Sequence, residues 1–234
     1  MKDVILSKIE KNIKRPGISK LVFWLENDTD YFTAPASTRF HLAEEEGLSI
    51  HSDNVYGQYY HMIEGYSWSN LPNAENIAIE GFFHDLCKVN VYKKNDEEAT
   101  AAQVNYLKRL CSQHKKGEVL LLLNSGKVNK TYCSCLIDWL KNRSTEPQPE
   151  QITFYNYEDG YLPVGHGEKS IIYLQRFIEL EPREIMAIRW HMGPWEELSV
   201  NEWKAMNEAQ SLISDVQLLH IADLQAGFFE IWGR

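Results

Sequence analysis

The stretch NAENIAIEGFFHDLCKV, residues 73–89, predicts a buried helix that carries a His-Asp pair near its C-terminal end. Asn73 or Asn76 is suited to cap the start of this helix. Neighbouring residues of a helix point about 100° apart, so His84 and Asp85 do not share a face. Both side chains nevertheless reach a metal ion that lies over the groove between them. The stretch therefore predicts part of a metal site, which needs further ligands from other helices.

Four further candidate ligands flank this pair along the chain. They are His51 in GLSIHSDNVY, His166 in LPVGHGEKS, His191 in AIRWHMG and Asp223 in LLHIADLQAG. The order H…HD…H…H…D resembles that of the HD superfamily of metal-dependent phosphohydrolases. The motifs GLSIHS, HDLCK, GHGEKS, IRWHMG and ADLQA are similar to those of one bacterial and phage branch of this superfamily. The resemblance covers most of residues 33–94 and 154–226.

This resemblance implies a mainly α fold, the HD-domain helical bundle, built around a metal centre. A one-ion site would use the residues that match the family's core motif: His51, His84, Asp85 and Asp223. His166 and His191 match the positions that add a second ion in binuclear branches, where Asp85 is expected to bridge. Imidazole and carboxylate ligands suit Mn, Fe, Co, Ni or Zn, and the sequence does not choose among them. The implied chemistry is phosphoester hydrolysis through a metal-activated water.

Basic residues within or near these sequence motifs are candidates to bind a substrate phosphate. Lys88 lies three residues after Asp85 and would bind phosphate as a point charge. Lys88 and Asp85 together are the candidate catalytic residues. The alternative for Lys88 is a solvated lysine that the helix C-terminus favours. The other substrate-binding candidates are Arg39 and His41 in STRFH, and Lys169 in GHGEKS.

The HD-type core is expected in residues 1–94 and 151–234, with residues 95–150 as an insertion or cap outside the resemblance. Inside the insertion, ATAAQVNYLKRLCSQHKK and TYCSCLIDWLKNR have helical patterns, and the apolar run GEVLLLLNSG between them predicts a strand. These three elements would form a small α/β unit. VNVYKK and ITFYNYEDGYLP alternate like strands at its two ends and predict a short β-hairpin.

Composition and charge narrow the class of protein. The 234 residues are 44% hydrophobic, which is enough for a buried core. No apolar run approaches the roughly 20 residues of a membrane span. The N-terminal segment is charged throughout, unlike a signal peptide, so we expect a cytoplasmic protein. The net charge of −9 argues against a broad surface for duplex nucleic acid.

The leading expectation is therefore an enzyme that hydrolyses a nucleotide or a similar small phosphorylated substrate. A nuclease acting on single-stranded RNA or DNA is the nearest alternative, because some HD-domain enzymes are exonucleases, and KRLCSQHKK in the insertion offers one basic wall. A non-enzymatic nucleotide- or protein-binding module is the third hypothesis, and the intact ligand set argues against it. The role of the insertion and the formation of a homo-oligomer stay open.

Overall fold

The computed structural model describes residues 1–38, 41–64, 66, 70–94, 98–124, 128–147, 155–158 and 162–232. The chain divides into two compact units. The main unit comprises Met1–Val91 and Asp159–Arg234, and the inserted unit comprises Tyr92–Glu158. The sequence predicts the insertion at 95–150, inside these bounds. The fold is mainly helical, as predicted, and no helix of the described residues is both long and apolar enough to cross a membrane.

The helices follow one another along the whole chain, and two short strands enclose those of the inserted unit. In chain order the elements are α1 (Lys2–Asn12), α2 (Ile18–Asn27), α3 (Gly47–Glu64), α4 (Ala74–Phe83), β1 (Tyr92–Lys94), α5 (Ala101–His114), α6 (Gly117–Asn124), α7 (Lys130–Leu140), β2 (Tyr155–Tyr157), α8 (His166–Leu174), α9 (Pro182–Trp190), α10 (Val200–Leu212) and α11 (Ser214–Trp232). Short 3-10 helices follow α4 at Leu86–Lys88 and α9 at Gly193–Trp195.

Helix α4 is the central helix of the main unit, and its sequence explains why. Asn73 caps it, since its side chain accepts hydrogen bonds from the backbone N–H groups of Glu75 and Asn76. Every residue from Asn76 to Phe83 is buried. Gly81 lets α3 cross α4 closely, because a Cβ at this position would lie 2.8 Å from the Cα of Tyr56. Helices α3 and α9 pack on α4, and α11 packs on α3 and α9, so these helices bring distant parts of the chain to one place.

The inserted unit has its own apolar core, formed by α5, α6 and α7. The predicted strand GEVLLLLNSG is wrong, because Gly117–Asn124 form helix α6. An apolar run alone does not distinguish a strand from a helix. Here Val119 is the only β-branched residue of the run, and leucine favours a helix. Within the described part of the unit, the predicted helix, strand and helix are therefore three helices, α5, α6 and α7.

The two predicted strands at the ends of the insertion do pair. Strand β1 runs antiparallel to β2, with Tyr92 opposite Tyr157 and Lys94 opposite Tyr155. The strands are joined by the three helices of the inserted unit instead of a tight turn. They therefore form a two-stranded sheet at the boundary of the insertion, where the sequence predicts a short hairpin.

Candidate metal centre

Two of the histidines end the helices that carry them. His84 follows the last residue of α4, and its Nδ1 donates to the backbone carbonyl of Gly81 at 2.9 Å. His191 follows the last residue of α9, and its Nδ1 donates to the carbonyl of Ile188 at 2.8 Å. A carbonyl oxygen only accepts hydrogen bonds, so the proton of each neutral ring is on Nδ1. Both Nε2 atoms therefore present lone pairs, as metal-binding histidines do.

Asp85 lies where α4 changes into a 3-10 helix. Its backbone, with φ −100° and ψ 20°, has left the α-helical conformation. This break allows the carboxylate to meet three imidazoles: Asp85 Oδ2 lies 3.5 Å from His84 Nε2 and 3.7 Å from His51 Nε2, and Oδ1 lies 3.5 Å from His191 Nε2. Asp223, on α11, completes the group, with Oδ1 3.1 Å from His51 Nε2 and 3.9 Å from His84 Nε2.

These spacings fit a shared cation better than a set of hydrogen bonds. Distances of 3.5–3.9 Å are too long for a good N–H···O bond. Two ligand atoms that each lie about 2.1 Å from one metal ion are roughly 3.0 to 3.4 Å apart. The nearest atoms of His51, His84 and Asp85 all lie within 4.8 Å of one another. A small contraction around an ion would therefore bring them into coordination.

Unpartnered polar atoms at the centre of the cluster support the same conclusion. His84 Nε2, His191 Nε2 and Asp85 Oδ1 are buried and make no hydrogen bond to any described residue. Their residues are 0–3% exposed. A buried polar atom without a partner costs free energy, typically about 1 to 3 kcal/mol. A divalent ion would satisfy all three atoms at once, so the residues fit a metal ion and the buried cluster could bind one.

The charges of the cluster also favour a cation. Burial opposes the ionised form of Asp85, yet the nearby Lys88 and His84 hold the pKa of its carboxyl well below the usual range. Burial opposes the charged form of His51, but hydrogen bonds to Asp223 and Glu230 raise its pKa to about 10. The two shifts have opposite causes, because cationic groups lower the pKa of Asp85 and carboxylates raise that of His51. The ionised carboxylates of the cluster attract a metal ion as well as a proton.

The sixth predicted ligand lies beside the other five. His166 is the first residue of α8, and its Nδ1 is 3.5 Å from the Sγ of Cys87. Burial lowers the pKa of His166, which keeps the ring neutral. Gly167 positions this end of α8, because a Cβ there would lie 2.5 Å from the carbonyl of Ile188 on α9. The structure thus brings together His51, His84, Asp85, His191 and Asp223, with His166 next to them at Cys87.

The predicted substrate-binding residues lie in different environments. The Nζ of Lys88 is 2.6 Å from Asp85 Oδ2 and donates to the carbonyl of Ala36 at 2.8 Å, so it is not a solvated lysine. The His41 ring is 4.8 Å from the His51 ring, centroid to centroid, and burial lowers its pKa to about 4. Lys169 is 1% exposed inside the main unit. Arg39 lies outside the described residues.

A cavity of about 310 Å³ opens above the cluster. Its floor includes His51, Asp85, His191 and Asp223, and Lys88 and His41 also line it. The remaining wall is mainly apolar and comes from α11 and the 3-10 helix after α9: Met192, Trp195, Leu224, Phe228 and Ile231. The arrangement combines a charged floor with an apolar wall, as many small-molecule sites do.

Glu230 and His220 contact the cluster without being among the predicted ligands, and Asn54 contacts Glu230. Glu230 accepts a hydrogen bond from His51 Nδ1 at 3.0 Å, and Asn54 donates to Glu230 at 2.8 Å. Glu230 lies seven residues after Asp223, two helical turns along one face, and this spacing was the signal available in the sequence. His220 also lines the cavity, and its Nδ1 donates to the carbonyl of His191 at 2.6 Å.

Comparison of the chain with models of known families, with curated proteins and with solved structures finds no match.

Proposed function

We propose that this protein is a metal-dependent phosphohydrolase of the HD type that cleaves a phosphoester bond of a nucleotide or a similar small phosphorylated substrate. The observation that carries the proposal is the convergence of imidazole Nε2 atoms and two carboxylates at the floor of a cavity. The Nδ1 protons of His84 and His191 are directed away to helix carbonyls, so these rings are arranged to coordinate and not to exchange protons.

The chain offers enough donors for one ion, and for two if His166 joins. The residues proposed to hold the first ion are His51, His84, Asp85 and Asp223, and those proposed to add a second are His166 and His191. The donor set of nitrogen and oxygen without thiolate fits Mn, Fe, Co, Ni or Zn. When bound, such an ion supplies a Lewis acid that activates water and stabilises negative charge on phosphoryl oxygens.

Lys88 has the position expected of a phosphate-binding residue. Its ammonium group is held against Asp85 and the carbonyl of Ala36, and its side chain is 14% exposed. It lines the cavity next to the proposed ligands. A substrate phosphate that approaches these ligands meets this positive charge. Lys88 therefore binds the phosphoryl group while water adds to phosphorus and the ester P–O bond breaks, and the leaving alkoxide takes up the proton that the water loses.

The size and lining of the cavity favour a small substrate. A volume of about 310 Å³ suits a ligand of nucleotide size. The apolar wall includes Trp195 and Phe228, which are 72% and 59% exposed. Exposed aromatic rings stack on planar groups such as bases. The net charge of −9 is unfavourable for binding a long nucleic acid strand. A nuclease activity is therefore the alternative that an oligonucleotide assay tests.

The test is metal content together with turnover. Protein purified without chelator would be analysed for bound metals, and then assayed on a panel of nucleotides and on a single-stranded oligonucleotide. We expect His51→Ala and Asp85→Asn to lose metal and to reduce turnover by roughly 1000-fold or more. Lys88→Met should keep the metal and lower kcat/KM about 10- to 100-fold, since a hydrogen bond to a charged group contributes about 1.5 to 3 kcal/mol.

His61→Ala is the matched control. His61 lies on α3 like His51, but its side chain is 76% exposed and pairs with Glu64, three residues further on. It should retain both metal and activity. Shortening of the oligonucleotide with no nucleotide turnover would replace the proposal by the nuclease. Protein that takes up none of the five metals and hydrolyses nothing would overturn it and favour a binding module.

A further inference from the structure

The imidazole of His51 is held between two carboxylates of a single helix. Asp223 Oδ1 lies 3.1 Å from His51 Nε2, and the Glu230 carboxylate lies 3.0 and 3.1 Å from His51 Nδ1. Both acids are on α11, two helical turns apart, while His51 is on α3. Each ring nitrogen therefore contacts one carboxylate, and the two contacts together fix the orientation of the ring.

Glu230 is itself held in place. Asn54, three residues after His51 on α3, donates from Nδ2 to Glu230 Oε1 at 2.8 Å. Glu230 is the buried residue of the last turn of α11, since Phe228, Phe229 and Ile231 around it are exposed. A buried carboxylate needs hydrogen-bond donors, and His51 and Asn54 supply them. Glu230 thus links the final turn of α11 to α3 by hydrogen bonds.

Among the three histidines of the cluster, His51 depends on this contact most. His84 and His191 direct their Nδ1 protons to carbonyls of their own helices, which form whenever the helix forms. His51 is in the middle of the first half of α3, and its Nδ1 partner comes from a residue 179 positions away. The orientation of His51 is consequently a tertiary property.

We propose that Glu230 is a positioning residue of the metal centre: it accepts the Nδ1 proton of His51, and with Asn54 it holds the ring so that Nε2 faces Asp85 and Asp223. This inference rests on the proposed metal-binding function. For an ion held by His84 and Asp85 the carboxylate is not a ligand, because Glu230 contacts Nδ1 of His51 whereas Asp85 and Asp223 lie on the Nε2 side. Its action is to fix the nitrogen that coordinates and to make that nitrogen a better donor, as carboxylates beside metal-bound histidines do.

The test compares Glu230→Ala and Glu230→Gln with the wild-type protein. Metal affinity would be measured by titrating metal-free protein with Mn²⁺ or Zn²⁺ in competition with a chelating dye. We expect Glu230→Ala to weaken binding about 10- to 100-fold. Glu230→Gln should weaken it less, because the amide oxygen still accepts the Nδ1 proton. Glu208→Ala, at an exposed position of α10, is the control and should not change affinity.

A second readout separates positioning from a loss of folding. In zinc-loaded, ¹⁵N-labelled protein, the Nδ1 proton of His51 should exchange slowly with solvent. It should stay protected in Glu230→Gln and become exposed in Glu230→Ala, with the helical circular dichroism unchanged. If Glu230→Ala fails to fold, the Glu230→Gln affinity decides.

The outcomes for the two proposals can be told apart. Unchanged metal affinity in Glu230→Ala, while His84→Ala abolishes binding, would overturn the positioning role and leave the metal centre intact. Glu230→Gln binding as weakly as Glu230→Ala, although its Nδ1 proton stays protected, would show that the charge of Glu230 matters and its hydrogen bond does not, and would overturn positioning as stated. Wild-type protein that binds no metal would overturn both proposals.

Discussion

The main unit and the inserted unit bury different kinds of side chain. Among the described residues, every buried polar or charged side chain belongs to the main unit. The inserted unit closes its core with Leu107, Leu136 and other apolar residues, together with Cys111 and Cys133. Hydrophobic burial explains the inserted unit as it stands. The main unit requires a further explanation, because polar groups in a core are stable only with partners.

Most of the buried polar groups of the main unit do have partners, and the exceptions are informative. Arg183 donates from Nε and Nη2 to both carboxylate oxygens of Asp215 at 2.7 Å. Asn76 donates to Glu184 at 3.0 Å, and Arg15 pairs with the same carboxylate. These contacts tie helices together. Six buried side-chain atoms of the described residues make no hydrogen bond to any described residue. Three of them are on His84, Asp85 and His191, and a fourth is Nε2 of His41, whose ring lies beside that of His51; the others are Glu80 Oε1 and Glu168 Oε2. Ion-paired groups such as Asp215 and Glu184 stabilise the fold, whereas the cluster leaves several polar atoms available for a ligand.

The largest expected effect comes from replacing one buried leucine in each unit. Leu48, three residues before His51, and Leu107, in the inserted unit, are both 0% exposed. Replacement of either by alanine should destabilise its unit by about 2 to 5 kcal/mol. Only Leu48→Ala should also lower metal affinity, because it loosens the helix that carries His51. Urea unfolding and metal titration of the two variants would measure this.

Equal loss of metal in Leu107→Ala and Leu48→Ala would contradict the assignment of the metal centre to the main unit alone. A loss in neither variant would show that the packing under α3 does not position His51.

Metal removal gives the next largest effect. A ligand that binds only the folded state, at 100 times its Kd, stabilises it by about 2.7 kcal/mol. We expect saturating metal to slow amide hydrogen exchange in α3, α4 and α11, which carry the proposed ligands, and a chelator to reverse this. Exchange in α5 and α7 of the inserted unit should not change.

His84→Ala supplies the control for that experiment, since metal should no longer protect any helix of the variant. Protection of α5 and α7 by metal in the wild type would instead mean that the ion binds to, or acts on, the inserted unit.

Much of the helical framework follows from local sequence signals. Pro182 occupies the first turn of α9, where proline is favoured, and an asparagine caps α4, as predicted. The failure at Gly117–Asn124 also has a local cause, because a short apolar run surrounded by polar residues fits a strand and a helix equally. The pairing of β1 with β2 depends on the whole inserted unit, so local patterns do not determine how the strands are joined.

The candidate site was predictable only in part, because local sequence patterns do not determine how distant helices pack. The order of the motifs in the sequence predicts six candidate ligands, and the structure brings five of them together. The break of the helix at Asp85 and the contact between Glu230 and His51 depend on packing between α3, α4 and α11. The i, i+7 spacing of Asp223 and Glu230 suggests a shared face, but only tertiary structure identifies what that face contacts.

The smallest expected effect concerns Glu80, a buried carboxyl of the main unit that affects stability. It is 0% exposed on α4 and accepts a hydrogen bond from the hydroxyl of Tyr59 at 2.7 Å. Burial, and then the neighbouring carboxylate of Asp215, raise the pKa of Glu80 well above its usual value. The folded state consequently keeps a proton that the unfolded state loses once the pH exceeds the ordinary glutamate pKa of 4.5.

Because the folded state binds more protons in this range, the free energy of unfolding should fall as the pH rises from the ordinary pKa toward the raised one. The fall should already be measurable between about pH 5 and about pH 6, where the unfolded glutamate ionises and the folded one keeps its proton. Glu80→Gln should remove it, since the amide is neutral at every pH and still accepts from Tyr59. The measurement is urea unfolding with chelator present, and Glu208→Gln is the exposed control. An identical pH slope in wild type and Glu80→Gln would mean that Glu80 is ionised in the folded protein, and that the interior around α4 tolerates a second negative charge beside Asp215.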